Sequence, residues 1–363
     1  MIKVLFAGPT QGNGGILSWA KKFVNTFPDS EFEIIQASIS YRRANSTSMA
    51  LIPRIVDGLL DLRYAIKNVK KAIKENGDIK ICHVASSGNI GSYRDILIAR
   101  YCIKHGVKTV LHCHYGCVPE DYSGNGFVSR LLHRSFKLYD QIWVLDTRTQ
   151  NYLETVDTIK NKVCLTPNSI EIKEDLDNTP KDYKRLAFIG NLIPTKGIFE
   201  LTKAALQCDV RLDIIGPGPD DVVQQLKEIV GESLDKKVFI HGRLPNDETI
   251  KFIHAVDIIL LPTYYPQEAF PISILEAMSL TKMVISCPRA AIPDMLTDLD
   301  GNKCGILVRE KSVDEIVEAV KWCQENKTKA DEKCRKAYEK VFESYRMEVV
   351  YEKIYRTNYR KLL

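Results

Sequence analysis

Short apolar runs of strand length alternate with longer amphipathic segments along almost the whole chain. The first series of runs is Ile2–Ala7, Glu33–Gln36, Ile79–Val84, Lys108–His112, Gln141–Leu145 and Lys162–Leu165. A second series is Leu186–Ile189, Val210–Ile215, Val238–His241, Ile258–Leu261, Met283–Ser286 and Gly305–Val308. Helices fit Ile16–Phe27, Leu51–Glu75 and Tyr93–His105 in the first series. In the second they fit Ile198–Gln207, Val222–Ile229, Asp247–Ala255, Ile272–Leu280 and Val313–Asn326. This βα alternation predicts an α/β protein with doubly wound parallel sheets. Between the two series lies the polar, proline-containing stretch Pro167–Lys184, which reads as an interdomain linker. The expected domains are residues 1–170 and 185–343, followed by one long charged and aromatic helix over Ser344–Leu363.

Composition narrows the class. With 363 residues, 45% hydrophobic and 27% charged, the chain suits two α/β domains of a soluble enzyme. No apolar run approaches the roughly 18 residues of a membrane span. MIKVLFAGPT moves from a strand into a Gly-rich turn and lacks the pattern of a signal peptide. The ten cysteines show no regular spacing and read as reduced thiols of a cytoplasmic protein.

Charge is uneven. Up to Asp175 there are 23 Lys and Arg against 17 Asp and Glu, or +6, and the remainder has 28 against 29, or −1. The basic residues are not interleaved with aromatics, so nucleic acid is not the expected partner. A phosphorylated lipid or anionic membrane surface fits at least as well, and so does a solvated surface with a modest excess of charge. In Leu51–Glu75, apolar residues from Ile52 to Ile73 recur at spacings of three and four, opposite Arg54, Arg63, Lys67, Lys70, Lys71 and Lys74. That helix either docks on a membrane or is packed with a solvated basic face.

Candidate chemistry concentrates in Leu260–Ser286, LLPTYYPQEAFPISILEAMSLTKMVIS, which reads strand, loop, helix, strand. Pro271 suits the first turn of the helix, and free backbone donors then face Glu268 in the preceding loop. Glu276 follows about a turn and a half into the helix, and Ala269, Phe270, Pro271 and Ile272 line the same anion-binding corner.

Other strand ends add candidates. The first strand runs into GPTQGNGG, whose spacing is not the dinucleotide fingerprint but leaves Gly14 and Gly15 at a helix N-terminus. HCHYGC offers His112, Cys113, His114 and Cys117, too few ligands at the wrong spacing for structural zinc. His114 is the candidate for a substrate hydroxyl, and His112 for a satisfied inner histidine. In FIGNLIPTKG, Lys196 beside Gly197 can counter a diphosphate, with Asn191 in the same loop. Gly216 and Gly218, then His241, Gly242 and Arg243, end strands on the same expected edge and could cradle a nucleobase.

GNLIPTKG, IIGPGP, FIHGRL and LLPTYYPQEAFPISILEAM, in this order and spacing, resemble the family 4 retaining glycosyltransferases of the GT-B fold. The resemblance covers nearly the whole second half, and the first half matches more loosely through its Gly-rich loop, HCHYG and VCLTPNSIE. It implies two Rossmann-like domains facing across a cleft, with a last helix returning to the N-domain. The donor, a UDP- or GDP-sugar, would sit on the C-terminal domain. A glycan or lipid-(pyro)phosphate-linked acceptor would sit mainly on the N-terminal one. By position, Glu276 would accept from the ribose diol, Glu268 would lie beside the donor sugar, and Lys196 would neutralise the leaving diphosphate, so no metal cofactor is expected. His114 matches the family's N-domain histidine near the donor sugar. Departures are Asn191 where Arg is frequent, Ala269 for Gly, and Thr281 and Met283 for Gly and Pro. The implied activity is retaining hexosyl or N-acetylhexosaminyl transfer in bacterial surface-polysaccharide assembly, in the cytoplasm or at the inner face of its membrane. The alternatives are a sugar-nucleotide epimerase of the same architecture and a non-catalytic GT-B binding protein.

Overall fold

The computed structural model describes residues 1–11, 15–39, 51–172 and 180–363, with backbone alone for 51–57. The chain forms two compact units, one of Met1–Asn168 with Tyr351–Leu363 and one of Ser169–Val350.

In the first unit six strands, β1 (Ile2–Gly8), β2 (Phe32–Ser38), β3 (Ile79–Ser86), β4 (Lys108–Cys113), β5 (Gln141–Val144) and β6 (Val163–Leu165), form one sheet in the order β2-β1-β3-β4-β5-β6. Every neighbouring pair is parallel. Helices α1 (Gly15–Thr26), α2 (Leu51–Asn76), α3 (Gly91–Lys104), α4 (Val118–Ser123), α5 (Phe127–Leu138) and α6 (Thr147–Glu154) supply the connections and cover. Because successive strand residues face opposite ways, the two faces have separate cores. Leu5, Ala7, Cys82, Val84, Leu111, Ile142 and Val144 belong to one. Phe6, His83, His112 and Trp143 point into the other, against Trp19 and Phe23 of α1.

The chain's last residues close that aromatic core. Tyr355 and Tyr359 pack on Trp143 at centroid distances of 4.8 and 5.1 Å, and Arg356 donates to the Phe27 carbonyl at 2.8 Å. Ser344–Leu363 is not the single helix expected. Helix α13 (Lys327–Ser344) ends there, Arg346 is extended, and a wider π turn occupies Val350–Arg356 before Thr357–Arg360 resumes the α form. A π turn shifts the facing of side chains, and Tyr351, Tyr355 and Tyr359 all reach the aromatic core.

The second unit repeats the plan. Strands β7 (Arg185–Ile189), β8 (Arg211–Ile215), β9 (Val238–Gly242), β10 (Ile258–Leu261), β11 (Met283–Ser286) and β12 (Ile306–Leu307) are ordered β12-β11-β10-β7-β8-β9, all parallel. Helices α7 (Ile198–Gln207), α8 (Asp220–Val230), α9 (Asn246–Ala255), α10 (Ile272–Ser279), α11 (Ile292–Met295), α12 (Val313–Glu325) and α13 surround the sheet. At the end of α10, Thr281 adopts φ 55°, and Thr281 and Lys282 donate to the Met278 and Ala277 carbonyls. This left-handed closing position normally goes to glycine, which accounts for the glycine that the resemblance leads one to expect there. No helix of the described residues is long and apolar enough to cross a membrane.

Candidate active site

The loops at the carboxyl ends of β7, β8, β9 and β10 converge. Gly190 N–H donates to the Ile215 carbonyl at 3.0 Å, Leu192 N–H to Pro217 at 2.8 Å, and Gly216 N–H to Gly242 at 2.8 Å. The β7 and β8 loops touch so closely that a Cβ on Gly216, with φ 148°, would lie 1.8 Å from the Gly190 carbonyl oxygen. No other residue fits. The turn Pro194–Lys196 follows, and Gly197 at φ 74° lets α7 start against Pro262, whose carbonyl would be 2.4 Å from an added Cβ.

That turn sets Lys196. Tyr264 N–H donates to the Thr195 carbonyl at 2.8 Å, which ties the loop after β10 to the lysine-bearing turn. Lys196 Nζ lies 3.0 Å from Glu268 Oε2, with both side chains largely buried. The hydroxyl of buried Thr263 donates to the same carboxylate oxygen at a long 3.4 Å. Lys196 and Glu268 were expected beside different parts of a donor, and here they form one ion pair. Thr263 and Gly190 escaped the sequence reading. Their signal was there, in a threonine directly after the β10 strand end and a glycine directly after β7.

Glu268 precedes α10 by one short loop. Pro271 is the N-cap, with extended ψ of 117°, and the helix begins at Ile272, where the sequence pattern puts it. No side chain caps it, so its first backbone N–H groups face the corner beside Glu268. Ala269 is buried, and its carbonyl accepts from Ala291 N–H at 3.1 Å. It has no positive φ, so the backbone makes no demand for glycine there. Phe270 packs edge-on against Tyr345 at 5.4 Å. Glu276 is buried on α10.

Around the β8 and β9 ends, His241 Nε2 lies 2.8 Å from Asp213 Oδ1, and Arg211 donates twice to the same carboxylate at 2.9 Å. Burial pushes the Asp213 carboxyl up, but the Arg211 and His241 hydrogen bonds outweigh it and hold it below the usual range. Asn191 and Arg243 are exposed at their strand ends.

In the first unit three imidazoles form a ladder. His112 and His114 rings lie 4.0 Å apart and Trp19 packs on His114 at 4.2 Å. His83 Nδ1 is hydrogen-bonded to the Tyr359 hydroxyl at 2.5 Å and its Nε2 to His112 Nδ1 at 3.2 Å, so one ring nitrogen of neutral His83 donates and the other accepts. His112, expected as a satisfied inner histidine, is fully buried, with His83 on Nδ1 and the Thr166 backbone beside its ring, whereas His114 Nε2 is buried without a hydrogen bond. Burial alone lowers the His114 pKa to about 3; burial holds His83 and His112 well below the ordinary range, helped by His114 for both and by His83 for His112. All three are neutral. Gly14 lies outside the described residues. Gly15 opens α1 exposed, and a Cβ there would meet nothing within 4 Å. Among the described residues no group of three His, Cys, Asp or Glu could hold a metal ion.

Residues 169–341 match the family model described as glycosyl transferases group 1. The matched segment contains Asn191, Lys196, Gly216, Arg243, Glu268 and Glu276. The chain is 26% identical over 223 residues to the putative teichuronic acid biosynthesis glycosyltransferase TuaC of Bacillus subtilis, a match covering 60% of this chain and 52% of that protein. Thus the chain spans about half the length of that relative, and less, 36% and 30%, of two others. Among solved structures, sucrose-phosphate synthase from Thermosynechococcus elongatus superposes with TM-score 0.78 at 14% identity, covering 100% of this chain and 99% of that one. Anabaena HepE, solved with UDP and glucose, superposes with TM-score 0.71 at 16% identity over 99% of this chain and 100% of HepE. Likeness at such identity establishes the fold, and the fold is GT-B.

Proposed function

We propose that this chain is a retaining glycosyltransferase that moves a hexosyl or N-acetylhexosaminyl unit from a UDP- or GDP-sugar to a glycan or lipid-(pyro)phosphate-linked acceptor. The observation that carries it is the Lys196–Glu268 pair beside the uncapped N-terminus of α10, the helix that also carries buried Glu276. A nucleoside diphosphate sugar needs a cation for its phosphates, a carboxylate for its ribose diol and a carboxylate near its sugar. Glu276, Lys196 and Glu268 supply these in one unit. The match to the group 1 family, and the UDP and UDP-glucose found on HepE, support the same reading.

In the reaction, the bond between the anomeric carbon and the leaving phosphate oxygen breaks. The acceptor oxygen bonds to that carbon on the same face and gives its proton to the departing phosphate. Lys196 Nζ stabilises the charge gained by the diphosphate. Glu268 steadies positive charge developing on the sugar, and Glu276 holds the ribose with both oxygens. Within the first unit, neutral His114 Nε2, buried and without a hydrogen bond, is the candidate for a substrate hydroxyl. We place the activity in surface-polysaccharide assembly, a reading that the name of TuaC, a putative teichuronic acid biosynthesis glycosyltransferase, supports. The test is a panel of UDP- and GDP-sugars with product analysis, which also separates transfer from epimerisation. Turnover lost in Glu268→Ala and Lys196→Ala supports the proposal, and no turnover of any donor by the wild type overturns it.

A further inference from the structure

We propose that the outward face of α2, with its groove against α3, docks the protein on an anionic lipid bilayer. This inference does not depend on the transfer reaction. The groove encloses about 710 Å³, and its walls carry Arg63, Lys67, Lys70, Lys71 and Lys74. Its floor is apolar, made by Leu62 and Ile66 of α2 and Leu97 of α3. Helix α2 is held firmly behind this surface, because Ala65, Val69 and Ala72 are buried in the core of the first unit.

The cations are available. Lys71 meets Glu75 at 3.9 Å with both side chains more than half exposed, a contact worth little in water. Lys70 lies over the Tyr101 ring at 5.4 Å. Among the described residues no carboxylate pairs with Arg63, Lys67, Lys70 or Lys74. Leu59 and Leu60, one turn before Arg63, are 57% and 41% exposed. Sequence spacing puts them on the face that carries the lysines, since Leu59, Arg63, Lys67, Lys70 and Lys74 follow at intervals of three and four.

Exposed leucines among unpaired cations on one fixed helix fit a bilayer surface. There, the headgroup phosphates meet the lysines, and the leucines enter the acyl boundary. Nucleic acid would supply phosphate and leave both leucines in water. A groove with an apolar floor and cationic rim also has room for a phospholipid headgroup rather than one inorganic ion.

The experiment is co-sedimentation of the full chain with phosphatidylcholine vesicles, with and without roughly a third phosphatidylglycerol, at low and high salt. The wild type is expected to partition onto the anionic vesicles only, and less at high salt. K67Q/K71Q should lower partition roughly twenty-five-fold, at about fivefold per charge. L59S/L60S should lower it roughly tenfold or more, and at every salt concentration. Both pairs lie on the outward face, so unchanged far-UV dichroism and melting show that the variants fold. No partition of the wild type, equal partition onto phosphatidylcholine alone, or variants that bind like the wild type would overturn the proposal. Donor-induced thermal shifts should be the same in all variants, which keeps a failure here distinct from failure of the glycosyltransferase reading.

Discussion

Lys196 and Glu268 face each other at 3.0 Å, so the cation suited to a diphosphate is held by the carboxylate suited to a sugar. The pair explains how two opposite charges are kept largely buried at a strand edge, since each supplies the other's counterion.

It also sets up a competition. A diphosphate that draws on Lys196 must share it with Glu268. Glu268→Gln should therefore bind free UDP more tightly, by roughly fivefold, while turnover falls by about 10²-fold or more. Calorimetry with UDP and initial rates with the donor read the two effects separately. Weaker UDP binding in the variant would show that the pair does not restrain the lysine.

The close approach of Gly216 to Gly190 and of Gly197 to Pro262 predicts a stability contrast. Gly216→Ala and Gly197→Ala should each cost about 2–4 kcal/mol through steric overlap and backbone strain. Gly15→Ala, with nothing within 4 Å, should change stability by less than about 0.5 kcal/mol. Urea midpoints check this, and equal midpoints for all three would refute the loop contacts.

The neutral imidazoles give a pH dependence. His83, His112 and His114 have folded pKa values below the unfolded value of about 6.5, and that of His114 is about 3. Below about pH 6.5 the unfolded chain binds protons that the folded one does not, so stability falls as pH falls and is full above that pH. Each imidazole contributes a slope of up to about 1.4 kcal/mol per pH unit in the acid range. Melting temperature should be flat above neutrality and drop steeply toward about pH 5, and His114→Asn should soften the drop. An equally stable protein at acid and neutral pH would mean that these rings are not buried neutral.

Tyr359 fastens the chain's end to this ladder. Tyr359→Phe removes the hydroxyl that is hydrogen-bonded to His83 Nδ1 and should cost about 1–2 kcal/mol. Tyr359→Ala also opens a cavity against Trp143, Phe27 and Phe32 and should cost about 3–5 kcal/mol. Chemical denaturation distinguishes the two variants, and equal costs would argue against the aromatic packing.

Much of the fold was legible because fully buried parallel strands are written as short apolar runs. Ile258–Leu261 and Met283–Ser286 fall where the hydrophobic pattern puts them, to the residue. Helix α13 was not legible, since its buried stripe is Ala330, Cys334, Ala337 and Val341 amid charged residues, which leaves almost no apolar signal. The π turn at Val350–Arg356 was hidden for a related reason. A period-3.6 template does not anticipate a widened turn that is set by packing of Tyr351 and Tyr355 on α1. At the site, Glu268, Glu276 and Lys196 stood out by motif. The contact between Lys196 and Glu268 depends on how two loops meet through Tyr264 and Thr195, and spacing along the chain carries no trace of that.

The central claim is that the second unit binds a nucleotide sugar through Lys196 and Glu276. Thermal-shift titration of the whole chain with a panel of UDP- and GDP-sugars tests it most directly, because a ligand of the folded state raises its melting temperature by mass action. At least one donor should raise the wild-type melting temperature with concentration, and Lys196→Ala and Glu276→Ala should each weaken that response roughly tenfold or more, about 1.4 kcal/mol. A wild type that responds to no donor, or variants that respond as it does, would contradict the claim.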